Sequence, residues 1–592
     1  MARKGCKMKK PAIILLAALF TASCTVKNKE SANTLNWSTP EKIKGLDPAR
    51  ADDLYAATEV GRSYEGLLQY HYLKRPYTLI SNLAETLPEI SPDGRIYTFK
   101  IKKGVLFQDD PCFKETAGKG RELTADDFVY SIKRVADPKN LSGGWWLFDG
   151  KIAGLNEWRS DTVKSGAADY SKNVSGLRAT DRYTLQIILT RKSPVMIYAF
   201  AMPYAHAVPK EAVDHYGKDF QTRAVGTGPF RLEEFDPAQK IIWTRNPTYR
   251  TEYYPSEGAP GDVESGLLAD AGRSLPFLDK ILVTVYTEHQ PWWLGFLSGK
   301  TDLVQPPKDS FKKVILPDGD VNAELKQKNI RAIKTPMLDV TFDVFNMADP
   351  VIGKNKLLRQ AISLAFNTRE YIDLFFSGQA IAAQGPIPPG LPGYDPAFLN
   401  PYRHFNLAAA RELLAKAGHP GGRGLGPLDY VIPATSSFRQ MSEQMAGFLA
   451  AAGITMKVTA HTWPEFQNSI KNRRGQMWGV SAWSADYPDA ENFMQMFYSK
   501  NTSPGPNDSG YSNPEFDRLY EKAGAEMDPE KRAKIYTKMN AIVAEDCPLL
   551  FKVHRITFDL IPPRLKNYKR HHMEPSRVKY LRVMPDVAKK SR

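Results

Sequence analysis

The sequence predicts an α/β protein of more than one lobe, and three observations lead there. Once an N-terminal export segment is removed, the 592-residue chain still exceeds what one core can organise, since single cores stop growing at about 250–300 residues. Short stretches alternate apolar and polar residues: Tyr97, Phe99 and Ile101 alternate with Thr98 and Lys100 at period two, the pattern of a half-buried strand. Capped helical segments are interspersed among such strands, without the regular strand-helix-strand rhythm of a purely parallel sheet.

The export segment comes first. Arg3, Lys4, Lys7, Lys9 and Lys10 precede an apolar run from Ala12 to Phe20, and Thr21-Ala22-Ser23-Cys24 follows. Residues 1–23 therefore read as a secretory signal peptide. The run is far shorter than the roughly 20 apolar residues that a bilayer crossing needs. Cys24, directly after small residues, resembles the bacterial lipobox cysteine that is diacylated and becomes the first mature residue, although Thr21 stands where that motif usually has Leu. Two acyl chains hold a protein to a membrane, whereas one gives only marginal binding. Polar, unpatterned residues follow, and residues 24–32 read as a lipid-anchored tether.

Beyond the tether a strand is expected at Thr34–Ser38, a turn at Leu46-Asp47-Pro48 and a helix over Leu54–Leu68. Another helix opens after Leu123 and runs through Val135, with Thr124 as N-cap and Asp127 three residues on, close to a capping box. Asn406 caps a helix from Leu407 to Ala417 that Gly418 ends. The stretch Pro420-Gly421-Gly422-Arg423-Gly424-Leu425-Gly426 follows a helix instead of opening one and lacks the Lys-Ser/Thr of a phosphate loop, so it reads as a flexible surface loop.

Composition excludes several classes. The chain is 42% hydrophobic with a net charge of +15, but its Lys and Arg residues are scattered among Asp and Glu, with no basic stripe and no nucleic-acid motif. A solvated basic surface is expected, and no nucleic-acid partner. Of four cysteines, Cys6 leaves with the signal and Cys24 is the lipid site; Cys112 and Cys547 could pair in an oxidising compartment, but far apart in sequence they make no framework and are expected as free buried thiols. There is no CxxC, CxxCH or HExxH pattern, so no metal site or cofactor is assigned. His571-His572, within Lys569-Arg570-His571-His572, reads as a solvated turn rather than a ligand pair. No GxSxG elbow or kinase signature occurs, and sequence alone pairs no two carboxylates as acid and base, so no catalytic residue is assigned and the chain is not expected to be an enzyme.

Several motifs then occur in a fixed order: Gly45-Leu46-Asp47-Pro48-Ala49, Tyr64-Glu65-Gly66-Leu67-Leu68, Leu123-Thr124-Ala125-Asp126-Asp127-Phe128, Gly226-Thr227-Gly228-Pro229-Phe230 with Arg245-Asn246-Pro247-Thr248-Tyr249, Arg359-Gln360-Ala361 with Asn367-Thr368-Arg369-Glu370, and Trp483-Ser484-Ala485-Asp486-Tyr487, followed by a matching region around Ile542–Pro548. In this order the chain resembles the family-5 extracellular solute-binding proteins, the oligopeptide- and dipeptide-binding receptors of ABC importers. The resemblance implies a periplasmic-binding-protein fold, type II-like, of two α/β lobes joined by a hinge with an extra inserted domain. It places lobe I at residues 33–68, 191–334 and 553–592, the inserted domain at 69–190 and lobe II at 335–552. The segment Cys112–Glu122 falls where relatives have a short turn and reads as a surface loop without function.

The resemblance also implies a function and a site. A monomeric receptor at the periplasm or the outer face of the cytoplasmic membrane, lipid-anchored, would capture a peptide and deliver it to a membrane permease of an ABC transporter. The alternatives are the same fold taking a metal complex, haem, opine or sugar, or acting as a signalling receptor. Asp486 matches the aspartate that holds the ligand's α-amino group in oligopeptide-binding relatives, with Trp483 and Tyr487 as pocket walls; the alternative is a turn or helix-cap Asp. Asp52 matches an acidic position near the site, or is a plain surface charge. Trp463 matches a pocket-lining aromatic, with core packing as its rival. Arg439 lies where some relatives carry a residue toward the ligand's C-terminus, or is a solvated helix Arg. Val480 departs from the pattern, because some oligopeptide receptors have Arg there, which leaves the contact to the ligand carboxylate unassigned.

Overall fold

The computed structural model of the protein describes residues 33–585, apart from Pro504 and Ser576. The segments read as signal peptide and tether, with Cys24, lie outside the described residues. Among the described residues no helix is long and apolar enough to cross a membrane.

The chain begins with the expected strand, one residue longer than anticipated. Thr34–Thr39 pairs in parallel with Lys280–Val285, which continues antiparallel through Lys240–Arg245 to Phe230–Asp236. Leu35, Ile281, Val283, Ile241 and Trp243 are fully buried in this four-stranded sheet. The helix expected over Leu54–Leu68 is a correction: it spans only Leu54–Val60. Gly61 ends it, and Leu68–Tyr70 is already a strand. The chain beyond is closely packed, since a Cβ at Gly66 would lie 2.6 Å from the Phe200 carbonyl oxygen.

A second four-stranded sheet lies within residues 89–188, in the order Glu89–Ile90, Ile96–Lys100, Thr184–Ile188, Leu177–Asp181. Its period-two face is real: Tyr97, Phe99 and Ile101 are fully buried. The helix Ala125–Ala136 packs nearby, and its capping box forms, with the Asp127 carboxylate accepting from the Thr124 backbone N–H at 2.8 Å. From this helix Arg134 reaches the turn residue Asp47 through two hydrogen bonds of 2.7 and 2.8 Å, both side chains 4% exposed. The segment Cys112–Glu122 lies at the surface as expected, exposed from Lys114 to Ala117. Cys112 and Phe113 are nevertheless buried, and Arg121 pairs with both Asp127 and Glu211. The loop is tied down at both ends.

A five-stranded sheet follows in the order Met456–His461, Leu428–Pro433, Met477–Ser484, Asp339–Phe345, Leu549–Phe551. The first three strands are mutually parallel, so their C-terminal ends emerge on one side. Asn406 caps the helix Leu407–Lys416 as expected, and Gly418 takes the left-handed conformation, with φ +94°, that ends it. Between the two larger sheets, the long strand Val553–Ile561 runs antiparallel to Arg331–Pro336, so the chain passes from one side to the other twice along neighbouring strands.

Of the two histidines expected in a solvated turn, His572 is partly exposed and His571 is packed instead. His571 is 1% exposed, its ring 4.9 Å from that of Tyr77, and its Nδ1 accepts from the backbone N–H groups of Met573 and Glu574. Cys112 and Cys547 are free and buried.

Buried neutral histidines give the fold a pH dependence. His554 is 1% exposed and its Nδ1 donates to the Asp339 carbonyl at 2.7 Å; burial lowers its pKa to about 4. Burial, with the nearby Arg570 charge, brings His572 to about 3. The unfolded chain, with an ordinary histidine pKa of about 6.5, then binds protons that the native protein refuses. Stability is therefore expected to fall as pH drops from about 6.5 toward about 4. Urea midpoints across that range check it. His554→Asn, which keeps the donor and cannot titrate, should show a shallower decline, and a decline as steep as the parent's would remove His554 from the effect.

Candidate functional site

The C-terminal ends of the three parallel strands carry all the site candidates from this half of the chain. Trp483, Asp486 and Tyr487 end or follow Met477–Ser484, Trp463 follows Met456–His461, and Arg439 sits in the first turn of the helix after Leu428–Pro433. In open α/β sheets this edge is where ligands bind.

Asp486 occupies a turn whose geometry is fixed by a residue that sequence reasoning missed. Asn492 is fully buried; its amide donates to the Asp486 carboxylate at 2.9 Å, and its Oδ1 accepts from the Asp486 backbone N–H at 3.1 Å and from the Trp483 indole at 3.0 Å. Asp489 anchors the same turn through a buried pair with Arg532, 2.9 Å, and the Tyr536 hydroxyl, 2.8 Å. The Asp486 side chain is accessible to solvent, yet burial raises its pKa, with the Asn492 hydrogen bond opposing. Among the described residues it has no cationic partner.

Asp52 lies in another part of the chain, before the helix Leu54–Val60. Its carboxylate accepts from the Gly143 backbone N–H at 3.1 Å and from the Tyr204 hydroxyl at 3.4 Å. Burial, then the charges of Asp52 and Asp486, push the Tyr204 pKa up, so one tyrosine senses both acids. Gly143 and Gly144 permit this approach, because a Cβ would meet Asp52 Oδ1 at 2.4 Å and the Tyr204 ring at 2.3 Å respectively.

The remaining candidates are less convergent. Tyr487 is 6% exposed, stacked on Tyr198 at 5.7 Å and facing Trp146 at 6.4 Å, with its hydroxyl on Glu491. It lines a cavity of about 450 Å³ with Trp146, Lys151, Glu491 and Tyr520, rather than the Asp486 surface itself. Trp463 is 60% exposed and rests on Phe466, so core packing does not hold it. Arg439 is exposed and makes no side-chain pair among the described residues. Val480, the residue that departs from the pattern, adopts φ +60°, uncommon for a β-branched residue, and its backbone N–H donates to Asp343 at 2.8 Å.

Asn492, Tyr204 and Trp146 carried no signal of their own. Asn492 bridges a turn of only six residues, whereas Tyr204 and Trp146 come near it only through the fold.

The surroundings of this site match known proteins along nearly the whole chain. The Escherichia coli K12 dipeptide-binding protein is 25% identical over 95% of this chain and 97% of its own length. Haemophilus influenzae heme-binding protein A is 24% identical over 95% and 96%. Among solved structures, the Helicobacter pylori periplasmic binding protein DppA in complex with the peptide STSA aligns with a TM-score of 0.69 at 23% identity, covering 93% of this chain and 98% of that one. HbpA2 from Haemophilus parasuis gives 0.72 at 21%, covering 93% and 100%. The fold is accordingly the two-lobe α/β fold of periplasmic binding proteins with an extra inserted domain. The family model for bacterial extracellular solute-binding proteins, family 5, matches residues 78–505, and the chain belongs to that family.

Proposed function

We propose that the protein is an extracytoplasmic receptor that captures a peptide between two lobes and delivers it to an ABC permease. One observation carries the reading. Asp486 is a preorganised, partly desolvated carboxylate with no cation beside it, held by buried Asn492 and reachable from solvent. Such a group is poised for an ammonium, which a peptide supplies and a haem or sugar does not. In this reading lobe I comprises residues 33–68, 191–334 and 553–592, the inserted domain 69–190 and lobe II 335–552. The neighbouring strands Arg331–Pro336 and Val553–Ile561 would serve as the hinge, closing the lobes over the ligand. Trp483 and Asp52 line the cleft, Tyr487 supports it from behind, and Trp463 and Arg439 stand at its outer end. Residues 1–23 would be removed and Cys24 acylated, tethering a monomer to the membrane face.

Native mass spectrometry of protein recovered without denaturation tests both halves. The expected spectrum shows a retained mass that fragments as a peptide, and an N-terminal fragment beginning at acylated Cys24. A retained haem, metal complex or sugar would replace the peptide reading, and an unmodified mature N-terminus elsewhere would remove the anchor.

A further inference from the structure

Asp486 and Tyr487 adjoin in the sequence but face different partners. The Asp486 carboxylate meets Asn492, whereas the Tyr487 ring is 6% exposed between two rings from distant parts of the chain. Tyr198 lies nearly parallel to it, 5.7 Å between centroids at 10°, and Trp146 faces it at 6.4 Å and 28°. The Tyr487 hydroxyl donates to Glu491, whose second oxygen accepts from Tyr520. Trp146 is held in turn by Lys151, whose ammonium lies 5.6 Å from the Trp146 ring and donates to the Trp146 carbonyl at 3.3 Å. The cavity of about 450 Å³ beside this stack is lined by unlike charges from two stretches of chain, Lys151, Arg191 and Lys192 from one, Glu491 and Glu521 from the other. Among the described residues none of the three cations is in an ion pair. Lys151 and Glu491 act on each other across the gap without bonding, since burial lowers the Lys151 pKa and the Glu491 charge opposes it. In the proposed division Trp146 and Lys151 belong to the inserted domain, Tyr198 and Arg191 to lobe I, and Tyr487 and Glu491 to lobe II. One ring therefore joins all three.

We propose that Tyr487 is a closure latch, a positioning residue whose packing against Tyr198 and Trp146 holds the lobes together with or without a ligand. The unlike charges around the adjoining cavity draw the two sides toward it. The latch rests on the two-lobe receptor reading but not on the identity of the ligand. A contact made only when the lobes meet shifts the population toward the closed form by its own free energy, which for an aromatic pair is small. A small bias suits a receptor that must also release, because it slows departure of the ligand without sealing the cleft. Asp486 and Tyr487 share one turn, so the carboxylate and the latch move as a unit.

Small-angle scattering of the full mature protein without ligand reads the latch directly. Tyr487→Ala should give a larger radius of gyration than the parent, and Tyr487→Phe, which keeps the ring, should restore the parent's value. Asp486→Asn, which leaves the ring in place, should match the parent as well. Lys151→Met, which frees Trp146 without touching Tyr487, should shift the radius the same way by less. Stopped-flow displacement of trialanine should show dissociation roughly three- to tenfold faster in Tyr487→Ala, with association hardly changed. Should Tyr487→Ala fail to fold, Trp146→Ala, whose ring is 38% exposed, carries the same expectations. A radius unchanged in these alanine variants overturns the latch. An enlarged radius that Tyr487→Phe reproduces assigns the effect to the Glu491 hydrogen bond and overturns the stack. A loss of trialanine affinity confined to the association rate places Tyr487 in recognition and overturns the latch too. An enlarged ligand-free radius alongside no trialanine binding by the parent upholds the latch and counts against short peptides as ligands.

Discussion

Asp486→Asn should weaken binding of a free-amine peptide by roughly 3–5 kcal/mol, a few hundred-fold or more, while hardly changing binding of its N-acetylated form. The substitution keeps shape and removes charge. Asn492 and the buried Asp489–Arg532 pair hold the turn from below, so the turn itself should survive. The loss comes from leaving the ligand ammonium desolvated inside the closed cleft without its partner, and an acetylated ligand never brings that charge. Calorimetry on both proteins with both ligands closes a cycle that isolates the pair. Because burial raises the Asp486 pKa, the free receptor should also lose affinity in mild acid as that carboxylate protonates, and the loss should vanish in Asp486→Asn. Equal losses for free and acetylated peptides would remove Asp486 from the amine-binding role.

The helix caps, the period-two strand and the ordered motifs were legible because each is local: Thr124 with Asp127, and Asn406 with Gly418, declare helix ends within a few residues. Asp486 was singled out through its motif. The residues that surround it were not. Tyr204 joins Asp52 across 152 positions, an encounter that no periodicity encodes. The same limit explains the errors. The helix after Leu54 looked longer because Tyr64, Leu67 and Leu68 are apolar enough to continue it, but Gly61 ends it and the chain leads into the strand Leu68–Tyr70. His571 looked solvated among basic neighbours, yet Tyr72 and Tyr77 enclose it.

Lys552→Met should cost the fold roughly 3–5 kcal/mol, the loss expected when one partner of a buried pair is removed. Lys552 and Asp343 are 1% and 0% exposed and meet at 2.6 Å within the core of the five-stranded sheet. Desolvation lowers the Lys552 pKa, opposed chiefly by Asp343, so the pair persists only because each member neutralises the other. Asp343 also accepts from the Val480 backbone N–H, holding the left-handed residue at the bulge that re-aims this strand toward Trp483 and Asp486. Asp343→Asn with Lys552→Met keeps an acceptor for Val480 while removing both charges, and it should recover most of the stability lost in the single variant. Denaturant midpoints followed through tryptophan fluorescence measure both. Peptide affinity supplies the second readout: it should fall in Lys552→Met, where an unpaired carboxylate disturbs the bulge, and return in the double variant. A single variant as stable as the parent would mean that water reaches Asp343 in the folded protein. A double variant as unstable as the single one would assign the loss to packing around Phe366 and Tyr371, over whose rings the Lys552 ammonium lies at 5.7 and 5.4 Å, rather than to charge.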